Sequence, residues 1–171
     1  MGPDFLAQAI GLATRNAENG GGPFGAVVVL PDGSLAYGTN QVTHHADPTA
    51  HAEVVAIRGA ASSIRSHDLR RAVLYASCAP CPMCLAAAMW ANIGSIVYAA
   101  SPEDAAAAGF SDAEFYRQFA LATWWTEPSV YTVTPSARLE RITALRVTAD
   151  PREDRAAPFE AWLANPDRRL Y

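Results

Sequence analysis

The stretch AVLYASCAPCPMCLAAAMWANIGSIVYAA, residues 72–100, decides the fold class. It begins with a short apolar run typical of a buried strand (72–77), continues into an alanine-rich helical segment from Cys81, and ends in a second strand-like run (95–100). Pro82 suits the first turn of that helix, because its missing N–H would have no partner there. The stretch therefore predicts a strand, a helix and a strand in succession.

The residues before this stretch add helices and a hairpin. A helix opening at Asp4 or Pro3 is closed by NGGG, and an Asp-Gly turn joins two strand-like runs. In order, these segments are a helix that ends at NGGG (19–22), strands at 24–30 and 35–40, a loop at 41–49, and a helix in DPTAHAEVVAI (47–57). The order predicts a layered α/β domain with a mixed sheet.

The segments after residue 100 are less regular. Ser111 followed by Glu114 gives a capping-box pattern for a helix over 111–122. SVYTVT (129–134) resembles a further strand, 138–155 reads as extended chain or loop, and AAPFEAWLA (156–164) as a short helix. We expect residues 1–171 to form a single domain.

Composition limits the class of protein. A chain of 171 residues with 50% hydrophobic and 18% charged residues can bury a core of its own. We expect a cytoplasmic protein without membrane contact, because no apolar run is long enough for a bilayer and the N-terminus lacks signal features. The net charge of −4, without a basic tract, argues against nucleic acid as the main partner.

A metal site is indicated by two short motifs. All three cysteines fall within residues 78–84, too close together for a disulfide framework. Cys81 and Cys84, three residues apart at a helix start, can bind one zinc together with His51, leaving a fourth position for water. Glu53 would then move protons for that water. The alternatives are ordinary core residues, or a structural zinc site with Cys78 as fourth ligand.

H-x-E at residues 51–53 and P-C-x-x-C at 80–84 together form the signature of zinc nucleobase deaminases. With GGPFGAVVV, VYAASPEDAAAAGFSDAEFY and the PFEAW ending, the chain resembles the cytidine deaminase superfamily, most closely the small guanine deaminases of bacteria. The resemblance implies a three-layer α/β/α fold with a central mixed sheet of about five strands. It also implies a homodimer, one zinc per chain, and hydrolytic removal of an exocyclic amine from a nucleobase.

Ala79 departs from that branch, which usually carries an acidic residue at this position. Guanine, giving xanthine and ammonia, is the first expectation. The alternatives are cytosine, a modified base, an aminotriazine or a nucleoside, and then adenosine in tRNA, although a basic surface for RNA is missing. A zinc-stabilised interaction module is the alternative outside enzymes.

Several residues are candidates for substrate binding. Asn40 can read a base edge or simply end a strand, Phe24 can stack on a base or pack in the core, and Trp90 can do either at the end of the cysteine helix. Backbone N–H groups near Ala52 and Cys81 can steady developing charge.

The second acid and the cover of the site are expected beyond residue 100. Deamination of guanine needs protons at a ring nitrogen and at the leaving amine, so Asp112 is the candidate second carboxylate, with Glu114 as the alternative. The C-terminal segment 156–171 is a candidate lid or dimer-exchanged element, with Tyr171 nearest the substrate.

Overall fold

The protein is described here by a computed structural model that covers residues 2–118, 131–133 and 145–171. The described strands form one mixed sheet of six strands in the order β2-β1-β3-β4-β6-β5. Pairing is antiparallel in β2-β1, β1-β3 and β6-β5, and parallel in β3-β4 and β4-β6. The strands are β1 Gly22–Val29, β2 Leu35–Asn40, β3 Val73–Cys78, β4 Ser95–Ala100, β5 Tyr131–Val133 and β6 Leu145–Ala149.

Helices cover both faces of the sheet, which gives three layers. One face packs against α1, with Leu6 and Ile10 on Ala99. On the other face, α3 and α4 bury small apolar side chains and Leu85 against the strands, among them Ala56, Ala60 and Ala88. No helix in the described ranges is long and apolar enough to cross a membrane. The helices are α1 Phe5–Glu18, α2 Val42–His45, α3 Ala52–Ile64, α4 Pro82–Trp90, α5 Pro102–Ala107, α6 Ala113–Gln118 and α7 Ala157–Ala164.

The three-layer α/β/α class with a mixed sheet is confirmed, while some elements differ from the prediction. The described sheet has six strands, one more than about five, because part of 138–155 forms β6 and pairs on both sides. The predicted loop 41–49 contains α2, and α5 was not predicted. The predicted helix 111–122 is described from Ala113 to Gln118, and its last four residues lie outside the described ranges.

The capping box lies earlier in the chain than predicted. Ser101 accepts a hydrogen bond from the Asp104 N–H, and the Asp104 carboxylate accepts one from the Ser101 N–H, so the box starts α5. At the predicted pair, Glu114 forms an ion pair with Arg117 on the surface of α6. The Ser101 pattern carries Pro102 at the first helical position, which favours it as a helix start.

The histidine helix begins later than its sequence suggests. Asp47 accepts hydrogen bonds from the backbone N–H and the hydroxyl of Thr49, which closes a local turn. Ala46 adopts a left-handed conformation with φ of 52° just before that turn. The helix α3 therefore starts at Ala52, and His51 is its N-cap residue instead of a residue of its first turn.

Close packing of α3 on the sheet depends on Gly38 in β2. A Cβ at this position would collide with the carbonyl oxygen of Ala52 and with the N–H of Ala56. Because these are backbone atoms, they could not rotate away. The missing side chain lets the first turn of α3, and therefore His51 and Glu53, lie directly on the sheet.

Asp4 is the N-cap residue of α1, and its carboxylate fixes the start of that helix. Its carboxylate accepts the Ala7 N–H at 3.0 Å and pairs with Arg152, so these two contacts hold the pKa of Asp4 below 3.8. Asp4→Ala is expected to lower the free energy of unfolding by about 1 kcal/mol, the usual cost of a lost N-cap. Because the folded pKa is depressed, this stabilisation is present above the ordinary carboxyl pKa and lost as pH falls through the folded one. Denaturant unfolding at neutral and acidic pH measures it.

Asp4→Asn is the matched control, because asparagine keeps the cap and removes the charge. It should retain most of the neutral-pH stability. An equal loss in both variants would contradict the capping role and assign the effect to the Arg152 pair.

Candidate functional site

The starts of two helices meet at the carboxyl end of β3. His51 is the N-cap residue of α3 and Cys81 the N-cap residue of α4, while Cys84 lies in the first turn of α4. Neither His51 nor Cys81 uses its side chain to cap the helix that follows it, so the imidazole and the thiol are available to a ligand. The sequence placed these three residues together, and the structure brings them together.

The three side chains, called the ligand trio below, have the geometry of a zinc site. The Sγ atoms of Cys81 and Cys84 are 3.5 Å apart, and Nδ1 of His51 lies 3.6 Å from Cys81 Sγ and 3.7 Å from Cys84 Sγ. Atoms held by one tetrahedral zinc, with bonds of ~2.3 Å to sulfur and ~2.0–2.1 Å to nitrogen, would be separated by roughly 3.5–3.8 Å. The donor set and its spacing therefore fit zinc.

Electrostatics in the ligand trio favours a thiolate. Hydrogen bonding from Cys84 and then from His51 lowers the pKa of Cys81 to about 4, although burial opposes the shift. Burial alone would lower the pKa of His51, but the contact with Cys81 and the negative charges of Glu53 and Asp112 together raise it. A neighbouring imidazole and a helix start favour the thiolate, and zinc is bound by the thiolate together with the neutral imidazole.

Glu53 lies beside the ligand trio without joining it. The side chain is 8% exposed and borders the same cavity as His51 and Cys81. Burial raises the pKa of Glu53 to about 7, the charge of Cys81 adds to the shift, and His51 opposes it. A carboxyl that titrates near neutrality can both accept and donate a proton at the working pH of an enzyme.

Cys78 is separate from the ligand trio. Its thiol is 5% exposed and donates to the carbonyl of Ser101 at 3.6 Å. Among the described residues, the cluster able to hold a metal contains His51, Cys81 and Cys84 only. Burial raises the pKa of Cys78, which keeps it protonated. The alternative of a four-ligand structural site does not match this arrangement.

A cavity of about 370 Å³ opens over the ligand trio. Asp112 borders the same cavity as His51 and Cys81, from the loop that leads into α6. Burial and the nearby charge of Cys81 raise the pKa of Asp112 to about 6. The cavity therefore holds a second carboxyl that can carry a proton near neutral pH.

Aromatic rings form one wall of the cavity and converge on Phe110. Its ring centroid lies 5.1 Å from that of Phe24, 4.8 Å from Trp162 and 5.5 Å from Tyr171. Phe24 also packs on Phe159, at 5.8 Å, and borders the cavity, so it serves both in packing and at the site. Through Phe110, the C-terminal segment is joined to the loop that carries Asp112.

Asn40 is buried at the end of β2, next to Gly22 and Tyr171. Its side chain is 1% exposed, and its Nδ2 has no hydrogen-bond partner among the described residues. A Cβ on Gly22 would collide with the Tyr171 hydroxyl and with the Asn40 amide, so both approach where a side chain is missing. A buried amide with free donors is a group that a ligand can satisfy.

Asn40 is not among the residues that line the cavity, although its neighbour Tyr171 is. Three other predicted residues also lie outside the lining. Ala52 is fully buried and contributes its backbone at the start of α3. Trp90 is 76% exposed at the far end of α4, nine residues after Cys81 and six after Cys84, or roughly 9–14 Å along the helix. Glu114 is exposed and paired with Arg117 at 2.5 Å, because α6 turns its outer face to solvent. Trp90 and Glu114 are therefore corrected to surface positions.

Sequence reasoning missed the residues that support the site. Asn16 of α1 donates from one amide to the carbonyls of Gly22 and Asn40, each at 2.8 Å, and so ties the ends of β1 and β2 together. Tyr116 donates its hydroxyl to the carbonyl of Pro80, beside Cys81. Asn40 lies 24 positions from Asn16, and Pro80 lies 36 positions from Tyr116, so neither contact is a local one. The one signal in the sequence was that Tyr116 follows Asp112 by four residues, one helical turn.

Comparison with known proteins gives a consistent result. Residues 3–100 match the sequence model described as the cytidine and deoxycytidylate deaminase zinc-binding region. Guanine deaminase of Bacillus subtilis (strain 168) is 43% identical over 168 residues, which is 98% of this chain and 97% of that protein. A tRNA-specific adenosine deaminase of Buchnera aphidicola subsp. Schizaphis graminum is 38% identical over 58% of this chain and 66% of its own length.

Solved structures of guanine deaminases also resemble this chain. The X-ray structure of the B. subtilis guanine deaminase superposes with a TM-score of 0.65 at 40% identity, covering 98% of this chain and 96% of that one. The guanine deaminase from Nitrosomonas europaea gives a TM-score of 0.71 at 27% identity, covering 94% of this chain and 84% of that one.

Proposed function

This chain belongs to the cytidine and deoxycytidylate deaminase family of zinc-dependent enzymes, and on that basis we propose that it hydrolyses guanine to xanthine and ammonia. The observation that carries the proposal is the ligand trio with Glu53 and Asp112 on one cavity. The choice of guanine rests on the near full-length similarity to the B. subtilis guanine deaminase. The family membership sets aside the alternative of a zinc-stabilised interaction module.

The reaction needs a water made nucleophilic and two protons delivered. Zinc held by the ligand trio would supply the first, because bound zinc lowers the pKa of a water toward neutrality. We assign to Glu53 the transfer of a proton from the attacking water to the ring nitrogen beside C2 of guanine. Loss of the C2 amine as ammonia then requires a proton on the departing nitrogen, which we assign to Asp112. As the C2 carbonyl forms, the added hydroxyl gives its proton to Glu53, and exchange with solvent restores both carboxyl groups. The raised pKa of Asp112 suits its role.

Recognition of the base falls to residues around the cavity. The free Nδ2 of Asn40 is a donor for an acceptor on the base edge, and Phe24 offers a ring for contact with the purine. Backbone N–H groups at the starts of α3 and α4, near Ala52 and Cys81, are placed to steady negative charge that develops during attack.

A panel of substrates tests the choice of guanine against its alternatives. Zinc-loaded protein should release ammonia from guanine faster than from cytosine, adenine, modified bases, aminotriazines, nucleosides or a tRNA anticodon arm. Ala79 is the reason to include modified bases, because the acidic residue expected there is missing. A higher kcat/KM for any other member of the panel would replace guanine as the substrate while keeping the zinc chemistry.

The C-terminal segment is well placed to cover the cavity. Nδ2 of Asn165 donates to the Ala17 carbonyl at 2.9 Å, where α1 ends, and so anchors the tail, residues 165–171. Arg168 then lies over the Trp162 ring at 5.5 Å, and Tyr171 borders the cavity. Burial raises the pKa of Tyr171, so the phenol stays neutral. We propose that residues 156–171 act as a lid.

Deletion of residues 167–171 tests the lid. It should lower kcat/KM for guanine by roughly tenfold or more, because an open site admits water and loses the Tyr171 contact. Steady-state kinetics measures this, with the melting temperature recorded alongside. Unchanged kcat and KM would contradict the lid, whatever happened to stability.

We also propose that the protein is a homodimer. The outward face of α4, called the α4 stripe, carries Met83, Ala86, Ala87 and Trp90 at helical spacing without a charge. Trp90, at 76% exposed, is the largest apolar group on it. A tryptophan left in water at the end of an apolar stripe is typical of an interface.

Trp90→Glu should therefore shift the protein from dimer to monomer, because a carboxylate would be buried in an apolar contact. Light scattering after size exclusion measures the molar mass. Leu163→Glu, at another exposed apolar position on α7, is the control and should leave the dimer intact. A monomeric wild type would overturn the proposal.

We also propose a cytoplasmic location, because thiols used as metal ligands favour a reducing compartment.

A further inference from the structure

Tyr116 connects α6 to the segment that carries a zinc ligand. Its side chain is 2% exposed, and its hydroxyl donates to the carbonyl of Pro80 at 2.5 Å. That carbonyl and the N–H of Cys81 belong to one planar peptide unit. The hydrogen bond therefore fixes the orientation of the peptide from which Cys81 projects as the N-cap of α4.

The same residue anchors the segment that carries Asp112. The Tyr116 N–H bonds to the carbonyl of Asp112 at 3.2 Å, across the first turn of α6. Of the α6 side chains that are described, Tyr116 alone is buried, whereas Phe115, for example, is 59% exposed. The position of α6 over the cavity therefore depends strongly on the attachment of this one ring and hydroxyl.

We propose that Tyr116 is a positioning residue that sets Cys81 and Asp112 relative to each other. It touches neither metal nor base. Its hydroxyl restrains the zinc-ligand loop, and its backbone and buried ring hold the second carboxyl at the cavity. The Asp112 part of the inference rests on the proposed function, because it is measured with guanine; the Cys81 part does not.

Tyr116→Phe removes the hydroxyl and keeps the ring. Competition with a chelator on the holoenzyme should show zinc bound about 10–100-fold more weakly, the usual effect of losing an outer contact to a metal ligand. At saturating zinc, kcat for guanine should fall about tenfold with a smaller change in KM, because a misplaced Asp112 affects the transition state more than binding. Tyr75→Phe is the control: that ring packs on Phe5 at 5.4 Å, on the α1 face of the sheet.

The outcomes separate positioning from simple stability. All measurements are made well below the melting temperature of each variant. Zinc affinity and kcat within about twofold of wild type would overturn the proposal even if the melting temperature fell. Weaker zinc binding with unchanged kcat at saturating zinc would overturn the Asp112 part. If wild type failed to turn over guanine, the proposed function would fall, while the zinc measurement would still decide the Cys81 part.

Discussion

Glu53→Gln should lower kcat for guanine by about 10²–10⁴-fold, because general acid–base transfer typically contributes that much. The variant keeps the shape of the side chain and removes its titrating proton. Since Glu53 is not one of the ligand trio, zinc content should stay at about one per chain. Steady-state kinetics and metal analysis on the same preparation measure both.

Glu18→Gln is the matched control for this substitution. Glu18 is exposed at the end of α1, outside the cavity, so the same chemical change there should leave kcat unaltered. Turnover by Glu53→Gln within about tenfold of wild type would exclude Glu53 as the proton carrier.

Cys84→Ser should remove both zinc and activity. A serine hydroxyl binds zinc poorly compared with a thiolate. Because Cys84 is completely buried, the serine side chain could not move to a better position. Bound zinc should fall from about one per chain to near none, and guanine turnover should disappear with it. Metal analysis after dialysis measures the first and xanthine formation the second.

Cys78→Ser is the control, because Cys78 donates to Ser101 and lies outside the ligand trio. It should retain zinc. X-ray absorption of wild type should show two sulfur and one nitrogen neighbours from the protein, at ~2.3 Å and ~2.0–2.1 Å. A third sulfur neighbour, together with zinc loss in Cys78→Ser, would contradict the three-ligand site.

The elements that position the metal were predictable because their signals are local. A strand followed by Cys81 and Pro82 specifies a helix start, and His51 with Glu53 marks the second one. Even here the predicted helix 47–57 starts too early. Asp47 accepts hydrogen bonds from Thr49 in a turn, and α3 begins only at Ala52. Local propensity identifies which residues can cap, but hydrogen bonds in the fold decide which one does.

The surroundings of the site depend on contacts between distant segments, which a single sequence does not reveal. Phe110 meets Trp162 and Tyr171 from the other end of the chain, and Tyr116 reaches Pro80 across 36 positions. For Trp90, the side chain itself was misleading. Its apolar character suggested a place in the core or the pocket, yet on the α4 stripe it is exposed at the surface of the single chain.

We propose that one zinc, held by His51, Cys81 and Cys84, allows Glu53 to deaminate guanine. Stripping the protein with a chelator, restoring zinc in steps, and following xanthine and ammonia from guanine at each step tests this mechanism. Turnover should rise with added zinc and saturate at about one metal per chain, with equal amounts of the two products. Full turnover by the stripped protein, or no xanthine from the zinc-saturated one, would rule out the zinc mechanism.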